Sequence, residues 1–246
     1  SQVPGNRNLH FSPFQNCLVW FGYFTAPYPM LRTLIKATVV AIIPNLSIAC
    51  DTALILTIDV SNSVDPGEYR LQIDGLAAAL RDPEIAESMV RQNAAIAVVQ
   101  WSGQDRQELT LPWTRIRTSL DAARLADASQ LMPRAFVLSD TAPAEAILFA
   151  LPLFAQVPDC KNKVIDISGD GTPNSGSSTR DARNMAEQMG ITINGIAIES
   201  MGLAISNFYR GAVITRNGFV ITARTHREYP GTIRRKILRE LSMVLG

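Results

Sequence analysis

The chain has 246 residues, 47% of them hydrophobic and 18% charged, with 23 Lys and Arg against 22 Asp and Glu. A composition this apolar and this balanced excludes a disordered chain, and it lacks the basic excess with which nucleic-acid binders meet a phosphate backbone. The charge is unevenly spread, because residues 1–49 hold Arg7, Arg32 and Lys36 but no carboxylate.

Residues 1–29 show no clear hydrophobic period. From Met30, MLRTLIKATVVAIIPNLSIAC has a basic start, an apolar middle, a helix-breaking Pro44, and small residues at Ser47 and Ala49. This is the layout of a secretory signal and predicts a signal peptide over residues 30–49 with cleavage after Ala49. The apolar middle is short for a membrane span and has no stop-transfer flank, so no stable transmembrane segment is expected after cleavage. Since a signal does not ordinarily follow 29 other residues, 1–29 is expected to be an extraneous extension. The remaining segment, 50–246, is nearly neutral and is sized for one α/β domain.

Within it, Ala53 to Ile58 is a short apolar run that predicts a buried parallel strand, followed by a helix over Pro66 to Leu80 with Asp65 as cap and Pro66 in its first turn. A second strand is expected over Ala94 to Gln100, and an antiparallel edge strand over Glu108 to Trp113 beyond the polar turn at Gly103 to Arg106. Helices over Ser119 to Ser129 and Ala142 to Ala155 precede a strand over Val164 to Ser168. A helix over Thr179 to Met189, a strand over Thr192 to Ile198, a strand or hairpin within Val213 to Thr222 around Asn217-Gly218, and a last helix over Thr232 to Leu245 complete the series. This alternation predicts an α/β fold, a doubly wound and mostly parallel central sheet flanked by helices, with one antiparallel edge strand.

The chemistry concentrates where the first strand ends. In TALILTIDVSNSVD, Asp59, Ser61 and Ser63 alternate along an extended stretch and can share one face, beyond the carboxyl end of a strand, where open α/β sheets bind ligands. Hard oxygen donors favour magnesium (Mg2+) or manganese (Mn2+) over zinc. Thr141 opens a helix further on, and Asp170 follows the apolar strand KVIDIS in the turn SGDGTPN. The three segments together resemble the von Willebrand factor A (vWA) domain with its metal-ion-dependent adhesion site, over about residues 51 to 245, and look similar to secreted bacterial vWA-like domains of unknown function. The resemblance implies a metal held by Asp59, Ser61, Ser63, Thr141 and Asp170, with a carboxylate from a protein partner completing the coordination.

Function would then be metal-dependent protein binding, without catalysis, by an exported protein in the periplasm or the medium. The enzyme alternative is a metal-assisted phosphohydrolase. Against it, the chain has no D-x-D pair at position 61, no P-loop Gly-Lys-Ser and no G-x-S-x-G elbow. A metal-free structural envelope domain is the third reading.

Cys50 and Cys160 are an even pair past the signal, and an oxidising compartment favours a Cys50–Cys160 disulfide, worth about 4 kcal/mol for so long a loop. Acylation of Cys50 as a lipoprotein anchor is the alternative, although Ser47 departs from the Leu that a lipobox prefers there. Trp101 is expected to pack at a strand end or to join a recognition rim, Trp113 to be structural, and Asp166, mid-strand, to be buried and hydrogen-bonded rather than a ligand. His226, alone after the signal, is expected to be structural or solvated. Arg234, Arg235, Lys236 and Arg239 are expected to form a solvated face of the last helix.

Overall fold

Strand β1 runs from Cys50 to Asp59, buried throughout except at Asp51. It carries no polar-apolar alternation because both of its faces are covered. The computed structural model describes residues 49–199 and 202–242. Residues 1–48, with the predicted extension and nearly all of the signal, residues 200–201, and residues 243–246, with the end of the helix expected over Thr232 to Leu245, lie outside the described residues.

From β1 the chain continues through α1 (Pro66–Arg81), α2 (Pro83–Arg91), β2 (Ala95–Trp101), β3 (Gln107–Arg115) and α3 (Ser119–Gln130). It goes on through α4 (Pro143–Ala150), β4 (Cys160–Gly169), α5 (Thr179–Gln188), β5 (Ile191–Ile198), α6 (Ala204–Phe208), β6 (Val220–Ala223) and α7 (Tyr229–Ser242). Local chemistry sets the helix starts. Asp65 and Glu68 close a reciprocal capping box on α1, Asp82 caps α2, Thr118 and Asp121 box α3, and Ser178 caps α5.

The six strands lie in the order β3-β2-β1-β4-β5-β6. All neighbours pair parallel except β2 with β3, the antiparallel edge. One face of the sheet, through Leu54, Leu56, Ile58 and Ile196, packs on α1, α2, α3 and α7. The other, through Ile55, Val99, Ile165 and Ile193, packs on α4, α5 and the turn carrying Tyr209 and Val213. Among the described residues no helix is long and apolar enough to cross a membrane. Cys50 and Cys160 face each other in register at the starts of β1 and β4 and are joined by a disulfide.

One open expectation is decided and two are corrected. Of the strand or hairpin expected within 213–222, the strand forms: Tyr209–Val213 is a π-helical turn, and Val220–Ala223 is a strand parallel to β5. Gly218 accounts for this, since a Cβ there would come within 2.0 Å of the Ile193 carbonyl oxygen; the glycine lets the chain lie flat on the backbone of β5 instead of turning away from it. The helix expected over 142–155 is α-helical only to Ala150 and then tightens into a 3-10 turn, Leu151–Gln156, at Pro152. Lys236 is fully buried, not solvated, because it shares the inward face of α7 with Ile233, Ile237 and Glu240.

Candidate functional site

The sheet reverses its winding at β1. The chain steps from β1 to β2 on one side and later returns to place β4 on the other. A crevice opens at the carboxyl ends of strands flanking such a switch point. Asp59 ends β1 and Asp170 directly follows β4, so the topology places both carboxylates at that crevice.

The loop after β1 is shaped by Asp59 itself. Its Oδ1 accepts from the Ser61 backbone N–H at 2.7 Å, and the Ser61 and Ser63 hydroxyls then lie 3.0 Å apart. Ser63 Oγ donates to Asp170 Oδ1 at 2.5 Å, linking the β1 loop to the β4 turn. Thr141 is tied to the same turn region: its N–H donates to Asn174 Oδ1 at 2.8 Å, and the Asn174 N–H returns a bond to the Thr141 carbonyl at 3.1 Å. Its hydroxyl faces Gly171, 3.5 Å from where a Cβ would stand. Asp59, Ser61, Ser63 and Asp170 thus form one contact chain, with Thr141 beside the turn that carries Asp170.

Burial is the dominant electrostatic fact. It pushes the Asp59 carboxyl up to about 7, with the nearby Asp170 charge adding to the rise and hydrogen bonds from Ser61 opposing it. Asp170 is also raised, first by burial, while the Ser63 hydrogen bond and His226 pull the other way. Among the described residues the ion pairs at this site are those of His226 with Glu68 and with Asp170, and none involves a lysine or arginine. Asp59 Oδ2 has no hydrogen-bond partner among the described residues. Gly169 makes room for this arrangement, as a Cβ there would meet the Tyr209 hydroxyl at 2.7 Å and Asp59 Oδ2 at 2.9 Å. Two carboxylates without a lysine or arginine between them, beside three hydroxyls, are a donor set suited to a hard divalent cation.

Several residues escaped sequence reasoning. His226, only 9% exposed, stands at the site: Nδ1 is 2.9 Å from Glu68 Oε1 and Nε2 is 3.6 Å from Asp170 Oδ2. Glu68, Asp170 and His226 form a group able to hold a metal. For Glu68 a signal existed, as Asp65-Pro-Gly-Glu68 is a capping box; for His226 the sequence offered none. Arg134 donates to the carbonyls of Val60 and Ser61 at 2.9 and 2.8 Å, and the Asn62 N–H donates to the Ser139 carbonyl at 2.9 Å. The segment so tied down presents Val137 and Leu138, 65% and 87% exposed. Trp101 is wholly buried and packs below the site rather than rimming it, while Trp113 donates to the Leu153 carbonyl at 2.9 Å and meets the Phe154 ring at a tilt. Asp166 lies on the α7 face of the sheet, away from the crevice, held by Lys236.

A family profile described as "Protein of unknown function (DUF1194)" matches residues 49–245. The chain belongs to this family. The DUF1194 chain has a vWA-like fold, as solved structures show. It aligns with a proximal thread matrix protein from the mussel byssus, described with a zinc-occupied MIDAS motif, at 17% identity and a TM-score of 0.58, covering 79% of this chain and 46% of that one. It also aligns with a von Willebrand factor type A protein from Catenulispora acidiphila at 17% identity and a TM-score of 0.56, over 80% of this chain and 43% of that one. The vWF domain of the pilus tip protein Mfa5 from Porphyromonas gingivalis matches at 10% identity and 0.56, over 80% of this chain and 97% of that domain. The DUF1194 chain therefore spans less than half of the mussel and Catenulispora chains. Curated protein sequences give no match.

Proposed function

We propose that this protein is an exported, metal-dependent protein-binding module whose crevice takes Mg2+ and, through it, an acidic side chain of a partner. The observation that carries this reading is the buried Asp59, raised by burial and by Asp170, without a basic neighbour and joined through Ser61 and Ser63 to Asp170. Ser61, Ser63 and Thr141 would hold the ion directly, with Asp59 and Asp170 acting directly or through water. Bound there, magnesium supplies a hard cation whose preference for six oxygens these groups do not fully meet. The hydroxyls are neutral, so they leave net positive charge for a partner's carboxylate to neutralise. Val137 and Leu138, pinned beside the loop by the Asn62–Ser139 bond, offer the apolar contact that a protein partner buries around a charged centre.

Solved vWA-like neighbours include a pilus tip protein and a byssus matrix protein, and surface assembly is the setting that fits this reading best. The Cys50–Cys160 disulfide supports export to an oxidising compartment, periplasmic or extracellular. Titration calorimetry with Mg2+ and Mn2+, with and without a carboxylate ligand mimic, tests the reading. Saturable binding that the carboxylate strengthens, and that Asp59→Ala abolishes while leaving the fold intact, is expected. Equal behaviour of wild type and variant would refute it, and metal-dependent phosphatase turnover lost in the same variant would replace it with the enzyme reading.

A further inference from the structure

We infer that His226 and Asp170 form a second metal site, distinct from the Ser61-Ser63-Thr141 crevice and selective for zinc-class ions, with Glu68 as the residue that positions the histidine. The two oxygens of Asp170 are already committed in different directions. Oδ1 accepts from Ser63 Oγ, toward the first site, while Oδ2 faces His226 Nε2 at 3.6 Å. That gap is too long for a hydrogen bond and suits a shared ion. Two ligand atoms about 2.1 Å from a tetrahedral zinc stand about 3.4 Å apart.

His226 is built as a ligand. Its side chain is 10% exposed, and Nε2 has no hydrogen-bond partner among the described residues although it is aimed at a carboxylate. On the other side of the ring, Nδ1 lies 2.9 Å from Glu68 Oε1, which gives the Nδ1 proton an acceptor and leaves the Nε2 lone pair facing Asp170. Glu68 is itself immobilised, because its Oε2 accepts from the Asp65 N–H at 2.9 Å in the cap of α1. A carboxylate behind a histidine that faces a metal is the arrangement that fixes the tautomer and raises ligand basicity.

The surroundings allow the remaining positions to be filled. A cleft of about 420 Å³, lined by Ser63, Glu68, Asp170, Glu199, Thr225 and His226, opens over the pair and admits water. The donor types set the selectivity. The first site offers only oxygen, which suits magnesium, whereas an imidazole nitrogen with a carboxylate suits zinc. Asp170 would bridge the two ions.

The test is zinc titration calorimetry on the full-length protein under saturating Mg2+, comparing wild type with His226→Gln, Glu68→Gln and Asp59→Ala. Wild type should bind one more equivalent of zinc than His226→Gln, so that any zinc taken by residues outside this site cancels in the difference. Glu68→Gln should weaken that equivalent by about 10- to 100-fold. Asp59→Ala should retain it while losing magnesium, which separates a failure of this site from a failure of the first. Equal zinc uptake by wild type and His226→Gln would overturn the inference, as would zinc lost in Asp59→Ala but kept in His226→Gln. Should His226→Gln fail to fold, nitrogen NMR of the His226 imidazole, told apart from that of His10 by a His10→Gln spectrum, decides: zinc should shift Nε2 and leave Nδ1 protonated, and an unmoved His226 ring would overturn the site.

Discussion

Strand β4 places two carboxylates four positions apart in opposite circumstances. Asp166, on the α7 face, is 2.6 Å from Lys236 Nζ, which is also 2.6 Å from Glu240 Oε1, and Asn194 Nδ2 donates to that same oxygen at 2.9 Å. This interior cluster brings its own cation. Asp170, past the end of the strand, shares its crevice with Asp59 and is met by hydroxyls and a histidine instead. Both regions bury charge, and both leave carboxylate oxygens without a hydrogen-bond partner among the described residues, but only the first holds a lysine. A buried carboxylate paired with a lysine is balanced from within, whereas carboxylates beside hydroxyls at the mouth of a sheet form the donor set that the proposed metal would use.

The largest effect should come from breaking the lysine-centred cluster. Lys236→Met leaves two buried carboxylates without their cation and should cost about 3–5 kcal/mol in denaturant unfolding. Asp59→Asn, measured without metal, should act with the opposite sign and raise stability, since it removes a buried charge that no basic residue balances. Equal signs would erase the contrast. Next in size, Mg2+ at about a hundred times its dissociation constant should stabilise wild type by about 2.7 kcal/mol and leave Asp59→Ala unchanged, read as a shift in unfolding midpoint.

The pH dependence sharpens the comparison further. Burial pushes Asp166 up to about 7 against an ordinary 3.8, with Lys236 opposing and Glu240 reinforcing the rise. Between those values the folded state keeps a proton that the unfolded chain has released, so its contribution to stability falls as pH rises through the window. Asp166→Asn should flatten that decline in unfolding experiments run from pH 4 to pH 7. The smallest effect belongs to the outer face of α7. Arg234, 42% exposed, pairs with Asp82 at 2.8 Å and Glu84 at 3.1 Å, and Arg234→Ala should cost less than about 1 kcal/mol.

What the sequence could reveal follows from how local each cause is. The buried strands announce themselves as short apolar runs, and Asp59 and Asp170 stand out because strand ends interrupt those runs. Lys236 reads as solvated because it sits among Arg234, Arg235 and Arg239, and a basic run suggests water. Its inward neighbours Ile233, Ile237 and Glu240 repeat at helical spacing, but Asp166 and Asn194, the residues that make its burial tolerable, come from distant strands. Strand and hairpin stay open around Asn217-Gly218 for a similar reason, since Gly218 answers to the Ile193 carbonyl and not to a local turn. The meeting of Glu68 with His226 spans most of the domain, and no pattern within either segment foretells it.

The Cys50–Cys160 link lies at the opposite end of β1 and β4 from the crevice. A pull on a partner held at the crevice, resisted where the chain enters β1, would run lengthwise along that strand between two parallel neighbours. Hydrogen bonds along both edges would then be loaded in shear, together rather than one at a time. The covalent link passes part of the tension at residue 50 directly into β4, whose far end leads to Asp170, so the load path closes through both strands that carry the site's acids.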